Sequence, residues 1–413
     1  MKILPFNREQ ILEIAEKYGT PFYIYDEKGI RENVRNLLRT FSWCDFREYF
    51  AVKATPTPYI LDILKEEGCG LDCSSMAELM AAEKCNVSGE NIMFSSNNTP
   101  YEEYEKAMNM GAIINLDDIT HIDFLKKHLY IPSTICLRYN PGTFAMWNNI
   151  IGEPGDAKFG FTKKQLFEGY KILKEEGVKK FGLHTMIVSN ELDGRCFIEV
   201  AKMMFELVVE ISRELSIDID FLNLGGGLGI PYRPEEKPLD LKDISEHVKD
   251  LYEVLIIKDN IKPFKLFTEF GRFITGPYGY LVSKVIHKKE IYKNYIGLDA
   301  TMADLMRPAI YGAYHHITVM GKEEHEATHK YDITGSLCEN NDKFAIDRVL
   351  PSIDTGDIIV IHDTGAHGHA MGFNYNGKLR SPELVLNENG SVKLIRRRET
   401  FDDYFATVNI SDQ

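Results

Sequence analysis

The chain has 413 residues, of which 44% are hydrophobic and 27% are charged, a composition typical of a globular protein long enough for two domains. Its formal net charge of −14 provides no broad basic surface, which argues against a nucleic-acid partner. Seven cysteines without a CxxC pair, no secretory signal and no apolar run of about 18 residues predict a reduced, cytoplasmic protein without a membrane partner.

The first two-thirds of the chain alternate between short apolar strands and amphipathic helices. A helix is predicted over 8–18, a strand over 22–25 and a further helix over 28–41. Eight strands follow, at 49–53, 70–73, 92–95, 113–116, 135–139, 181–187, 221–224 and 266–269. Repeated βα units predict parallel strands, and eight of them predict a closed (β/α)8 barrel, which we place over residues 28–275.

The pattern of predicted elements changes after residue 276, where strands follow one another without long helices. These strands are predicted at 280–287, 294–298, 329–334, 357–362, 383–386 and 392–396. We therefore expect a C-terminal antiparallel β domain, sandwich-like or barrel-like, that spans 276–413 and is joined by residues 1–27 through the early strand.

Polar residues and glycines stand where the predicted barrel strands end. They are Lys53, Asp72, Ser95, Asp117, Arg138, His184, the run Gly225–Gly227 and Glu269. Because catalytic groups of such barrels lie at the carboxyl ends of the strands, these positions form the candidate site. A buried Lys53 has a lowered pKa and a nucleophilic amine, although a lysine at a strand end can also extend into water.

Two further segments carry candidate chemistry. The glycine run after the 221–224 strand can present backbone N–H groups to a phosphate, although glycine runs are more often tight turns. Glu269 is followed closely by Gly271 and Arg272, an arrangement that suggests phosphate at Gly271–Arg272 and a cation at Glu269.

Five segments together resemble the barrel-type pyridoxal-phosphate decarboxylases of the alanine-racemase fold. They are Tyr49–Ala54, Gly225–Gly227, Glu269–Arg272, Gly335–Glu339 and Asn374–Asn376. Residues 299–311 and 394–400 resemble the branch of this family that acts on diaminopimelate. The resemblance covers nearly the whole chain in order, and it implies pyridoxal phosphate as cofactor and an amino acid as substrate.

The resemblance also implies roles for individual residues. Lys53 would attach the cofactor, Glu269 would pair with its ring nitrogen, and Cys338 would donate a proton. The other cofactor-binding residues would be Asp72, Arg138, His184, Met186, Ser189, Gly226, Gly227, Gly271, Arg272 and Tyr375. Substrate would be bound by Arg272, Arg307, Tyr311, Glu339 and Tyr375, and no metal is implied. A homodimer in which Cys338 and Glu339 reach the neighbouring barrel is implied as well.

The chain departs from the family pattern at four positions. Met186 stands where the family has a histidine stacked on the cofactor ring, and Phe270 replaces the proline of its Glu-Pro-Gly-Arg motif. Thr55 and His367 replace an asparagine and a tyrosine. These departures bear on the substrate more than on the reaction, so two enzymes remain open.

The first enzyme releases CO2 from meso-2,6-diaminopimelate to give L-lysine. The second is a decarboxylase of ornithine, arginine, carboxynorspermidine or a carrier-bound amino acid. A non-enzymatic barrel that only binds the cofactor is disfavoured, because it needs neither a C-terminal domain nor residues such as Arg307 and Cys338.

Overall fold

A computed structural model of the chain describes residues 2–143 and 153–409. Within them the chain divides into two compact units. One consists of the described residues within 31–230 and 237–274, and the other of those within 2–30, 231–236 and 275–409. The predicted domain limits, 28–275 for the barrel and 1–27 with 276–413 for the β domain, stay a prediction, and their ends at residues 1 and 410–413 lie outside the described residues.

The helices follow their sequence signals closely. The first begins after Asn7, whose side chain accepts from the N–H of Gln10 while the Gln10 side chain accepts from the N–H of Asn7. The α-helices are α1 Arg8–Tyr18, α2 Glu27–Thr40, α3 Pro58–Glu66, α4 Met76–Lys84, α5 Tyr101–Asn109, α6 Thr120–His128, α7 Lys163–Glu175, α8 Gly194–Leu215, α9 Leu241–Tyr252, α10 Arg272–Thr275, α11 Arg307–Tyr311 and α12 Phe401–Phe405. The helices predicted over 8–18 and 28–41 are present as α1 and α2, whereas α6, α9, α10, α11 and α12 were not predicted. None of the described helices is long and apolar enough to cross a membrane.

The strands of the first unit form a closed barrel of eight parallel strands, as predicted. After β1 (Phe22–Asp26), which belongs to the second unit, they are β2 Phe46–Ala51, β3 Gly70–Cys73, β4 Ile92–Ser95, β5 Ile113–Leu116, β6 Thr134–Tyr139, β7 Lys180–Thr185, β8 Ile219–Asn223 and β9 Lys265–Thr268. Inside, a cluster of buried side chains fills the barrel, namely Tyr49, Met93, Ile113, Cys136, Phe221 and Phe267. This packed interior leaves chemistry to the strand ends.

The second unit is built on a nine-stranded sheet that β1 joins, as predicted. Its other strands are β10 Gly279–Glu290, β11 Asn294–Leu298, β12 Ile317–Val319, β13 His329–Thr334, β14 Lys343–Leu350, β15 Ile358–Ile361, β16 Glu383–Leu386 and β17 Val392–Arg396. Most of its strand pairs are antiparallel, as predicted, but the sheet is mixed, because β1 runs parallel to β16 and β11 runs parallel to β13. Parallel neighbours need a long crossover, and both pairs have one. The strands β12 and β14 were missed.

Candidate active site

The carboxyl ends of the barrel strands bring the predicted polar residues together within the first unit. Asp72 lies on β3, Arg138 on β6 and His184 on β7, while Glu269 directly follows β9. All eight strands are parallel, so these side chains share one mouth of the barrel. The arrangement that the sequence predicted is therefore present among the described barrel residues.

Neighbouring residues contact both the carboxylate and the backbone N–H of Glu269. Its side chain is buried, Oε1 accepts from Asn223 Nδ2 at 2.7 Å, and Oε2 lies 3.4 Å from His184 Nε2. The backbone N–H of Glu269 donates to the Gly225 carbonyl at 2.9 Å. On the other side of the imidazole, Asn115 Nδ2 lies 2.8 Å from His184 Nδ1. These contacts fix the direction in which the carboxylate faces.

The pKa values of two buried carboxyl groups at the barrel mouth, those of Glu269 and Asp72, are shifted in opposite directions. Burial opposes ionisation of Glu269, but His184 with Lys53 and Arg138 outweighs it and keeps the pKa of Glu269 below its usual range. Burial, and then the charge of Glu269, raises the pKa of Asp72 well above its usual range. Neighbouring acids whose pKa values are pushed apart are typical of active sites. The lowered pKa favours an ionised Glu269, which can accept a hydrogen bond from a bound cation.

Sequence reasoning missed two asparagines that belong to this network. Asn223 bonds Glu269, and Asn115 bonds both His184 and the hydroxyl of Ser95, the latter at 3.1 Å. Each interrupts a run of buried apolar residues near a strand end, since Asn115 follows Ile113 and Ile114, and Asn223 follows Phe221 and Leu222. That interruption was a usable signal, since a buried amide needs partners.

Arg138 and Asp117 lie side by side in the same unit. Arg138 Nη1 is 3.3 Å from Asp117 Oδ1, and the guanidinium lies over the Phe159 ring at 4.4 Å. Burial raises the pKa of Asp117, and the charge of Arg138 opposes the shift. The ion pair therefore limits the cost of placing both charges at the barrel mouth.

Lys53 is not buried as the sequence argument required. It lies in a single helical turn, Val52–Ala54, directly after β2, and its side chain is exposed while Val52 and Ala54 are buried. Because of this turn, Lys53 does not continue the alternation of β2, and its side chain extends into the barrel mouth. Its amine is nevertheless close enough to act electrostatically on both Asp72 and Glu269.

The glycine-rich loop after β8 packs tightly against the segment after β7. Gly227 has φ +116°, and a Cβ there would lie 2.6 Å from Val188 Cγ2. The Gly226 N–H donates to Met186 Sδ at 3.1 Å, so the half-buried thioether lies against the loop. Ser189 follows in the same segment and is half-buried.

Gly271 and Arg272 follow Glu269 on the same side of the barrel. A Cβ on Gly271 would lie 2.7 Å from the Cβ of Ala54, so this backbone approaches the turn that carries Lys53. Arg272 begins α10 and is partly buried. The structure thus places the lysine turn and the Glu269 segment in direct contact.

The predicted substrate residues of the second unit form a separate set. Arg307 is buried, Nη1 donates to His315 Nε2 at 2.8 Å, and the guanidinium lies 4.8 Å from the Tyr232 ring centroid. Four residues further on, Tyr311 is exposed. The Arg307 side chain therefore has a fixed orientation, whereas the Tyr311 side chain of a single chain is exposed to solvent.

Cys338, Glu339 and Tyr375 lie on loops of the second unit. Cys338 and Tyr375 are exposed and Glu339 is half-buried. The Cys338 N–H donates to Asn376 Oδ1 at 2.6 Å, which ties the two loops together. Buried Asp342 shapes the cysteine loop by accepting from the Leu337 N–H at 2.8 Å. The loop backbone is ordered although its functional side chains face outward.

Comparison with known proteins gives consistent matches over almost the entire chain. Residues 27–276 match the family model described as pyridoxal-dependent decarboxylase, pyridoxal binding domain. The chain is 43% identical to Protein TabA of Pseudomonas amygdali pv. tabaci, over 95% of this chain and 92% of that protein. It is 34% identical to a diaminopimelate decarboxylase of Methanothermobacter thermautotrophicus, over 97% and 94% respectively. A solved diaminopimelate decarboxylase from Helicobacter pylori, complexed with L-lysine, matches with TM-score 0.88 and 28% identity, covering 96% of this chain and 98% of that one.

Proposed function

This chain belongs to the pyridoxal-dependent decarboxylases, and from that premise we propose that it converts meso-2,6-diaminopimelate to L-lysine and CO2. The observation that carries the reaction class is the buried Glu269 at the barrel mouth, whose pKa His184, Lys53 and Arg138 keep below its usual range. Curated relatives named diaminopimelate decarboxylase, 30–34% identical over most of the chain, support the substrate.

The residues of the barrel mouth fit pyridoxal phosphate. Oδ1 of buried Asp72 has no hydrogen-bond partner among the described residues, so a buried polar atom is available to a bound group. Glu269 offers an anion to a protonated ring nitrogen, and the Lys53 amine is accessible to an aldehyde. When bound, the cofactor supplies an electron-accepting ring that stabilises the negative charge left by loss of CO2.

Within this proposal each barrel residue has a defined task. Lys53 anchors the cofactor through Nζ, and Glu269 holds the proton on the ring nitrogen. Met186 would contact the cofactor ring through its thioether, which can pack favourably against an aromatic face. Ser189 binds the cofactor phosphate, together with Gly226, Gly227, Gly271, Arg272 and Tyr375. Asp72, Arg138 and His184 would help to hold the cofactor at the barrel mouth and would set the charge around it.

The second unit binds and protonates the substrate. Arg307 and Tyr311 bind the carboxylate of the amino-acid head that does not react, and Glu339 binds its ammonium. Cys338 Sγ donates the proton that replaces CO2. Because Cys338 is exposed, we propose that it acts in the barrel of a second copy of the chain. The active unit is then a homodimer with shared sites.

A second candidate is the decarboxylation of another basic or carrier-bound amino acid. It is retained because Met186 stands in place of a histidine, and because the 43% identity to Protein TabA, whose name states no substrate, exceeds the identities to the diaminopimelate decarboxylases above. The test is CO2 release by the purified holoenzyme from meso-diaminopimelate, ornithine, arginine and lysine. We expect meso-diaminopimelate to give the highest kcat/KM by a wide margin. A preference for any of the other three contradicts the proposed substrate.

Arg307→Ala sharpens the same test. Loss of a partner for a buried carboxylate costs roughly 2–5 kcal/mol, so kcat/KM for diaminopimelate falls by more than an order of magnitude. Activity on lysine, which has no second carboxylate, hardly changes and serves as the internal control. Equal losses on both substrates would show that Arg307 does not read the distal carboxylate.

A further inference from the structure

Glu48 is a buried acid that the proposed chemistry does not use. It lies on β2 opposite Thr268 of β9 and has no exposed surface. Its Oε2 accepts from the Thr268 hydroxyl at 2.5 Å, and its Oε1 accepts from the Phe270 N–H at 2.6 Å. Burial raises the pKa of Glu48 to about 8, against the effect of these two bonds. Both oxygens are thus engaged by the two residues that flank Glu269.

Those two bonds complete the support of Glu269. Its carboxylate is already bound by Asn223, and its own N–H is bound by the Gly225 carbonyl. Glu48 binds the side chain of Thr268, which precedes Glu269, and the N–H of Phe270, which follows it. We call this pair of bonds the Glu48 clamp. It fixes the segment from which the Glu269 side chain extends. A site group needs such support, because a small misorientation lowers its effect on the reacting atoms.

The clamp coincides with a departure from the family sequence. Where the family motif has a proline, which carries no N–H, this chain has Phe270. Phe270 is buried, so its N–H must find an acceptor inside the protein. Glu48 Oε1 provides that acceptor. The substitution and the buried acid therefore form a matched pair in this chain.

We propose that Glu48 is a positioning residue, which acts through the Thr268 hydroxyl and the Phe270 N–H to hold Glu269 in the direction of the cofactor ring nitrogen. This inference rests on the proposed role of Glu269 in the decarboxylase. Glu48 itself touches neither cofactor nor substrate. Its effect is transmitted through one hydroxyl and one peptide group.

The test is a double-mutant cycle on the full-length holoenzyme. Glu48→Met leaves the Phe270 N–H without its acceptor, and Phe270→Pro removes the donor. We expect each single variant to lower kcat about tenfold with little change in KM, and to shift the visible absorption band of the bound cofactor. Because both changes remove the same bond, the double variant should be little worse than the worse of the two single variants. Glu48→Gln, whose amide oxygen still accepts from Phe270, should remain close to the unmodified protein.

Two controls make the outcome decisive. Glu383→Met removes a buried carboxyl group of the other unit and should lower thermal stability without shifting the cofactor band. Glu269→Gln tests the underlying proposal, since a normal band and a normal kcat in that variant would overturn the role of Glu269 itself. If Glu269→Gln is impaired while the Glu48 and Phe270 effects simply add, only the positioning role is overturned. Should Glu48→Met fail to fold, Phe270→Pro alone decides, and an unshifted band there contradicts the inference.

Discussion

The barrel mouth and the Cys338 loop differ in how the chain supports their functional groups. At the barrel mouth, Glu269 and His184 are buried and hold one another through side-chain contacts. On the loop, Cys338 is exposed and only its backbone is fixed, through Asn376. A group whose environment is complete within one unit has its chemistry set by that unit. A group that faces outward depends on a contact from elsewhere, which agrees with the proposed sharing of sites between two copies.

Lys53→Ala removes the proposed cofactor attachment at the barrel mouth and has the largest expected effect. Without the amine that anchors the cofactor, decarboxylation should fall by several orders of magnitude. Borohydride reduction of the holoenzyme should fix the cofactor on Lys53 in the unmodified protein and nowhere in the variant. Lys164→Ala, an exposed lysine of the same unit, is the matched control and keeps full activity. A label on a different lysine contradicts the assignment.

Glu269→Gln tests whether the buried network sets the chemistry. A neutral amide cannot hold the proton on the ring nitrogen, so kcat should fall by roughly 10²–10³-fold while the cofactor stays bound. Absorbance of the bound cofactor and steady-state kinetics measure both quantities. Glu383→Gln, which neutralises a buried acid in the other unit, separates this effect from a general loss of stability. Near-normal kcat in Glu269→Gln rules out the proposed role.

Subunit mixing tests the proposal that the exposed Cys338 acts in the barrel of a second copy of the chain. Neither Lys53→Ala nor Cys338→Ala protein should be active alone. After exchange of subunits, random pairing should restore about a quarter of the sites, because one site in each mixed dimer receives both intact residues. Activity of mixtures at several ratios measures this recovery. Continued inactivity after proven exchange would mean that Cys338 acts within its own chain.

Met186→Ala has the smallest expected effect and refines the description of the barrel mouth. A thioether against an aromatic ring contributes about 0.3–1.5 kcal/mol, so cofactor affinity should fall roughly two- to tenfold. Titration of the apoprotein with pyridoxal phosphate gives the dissociation constant. Met80→Ala, an exposed methionine of the same unit, should leave that constant unchanged. Unchanged affinity in Met186→Ala would remove Met186 from the cofactor contacts.

The sequence by itself determined the barrel and most of its polar mouth. Alternating apolar strands and amphipathic helices identify eight βα units, and the geometry of a parallel barrel then brings Asp72, His184 and Glu269 to one end. The same local signals identified β1, since an apolar run bounded by turn residues is recognisable without knowledge of its partner. These features depend on periodicity, which is a local property of the chain.

Only the tertiary structure decided which groups meet. It placed Asn223 on Glu269, exposed Lys53 on a helical turn, and inserted β1 between β10 and β16. It also joined Glu48 to Phe270, which are 222 residues apart. Such pairings are set by strand register and by the need of buried polar groups for partners, and neither can be read from residue order.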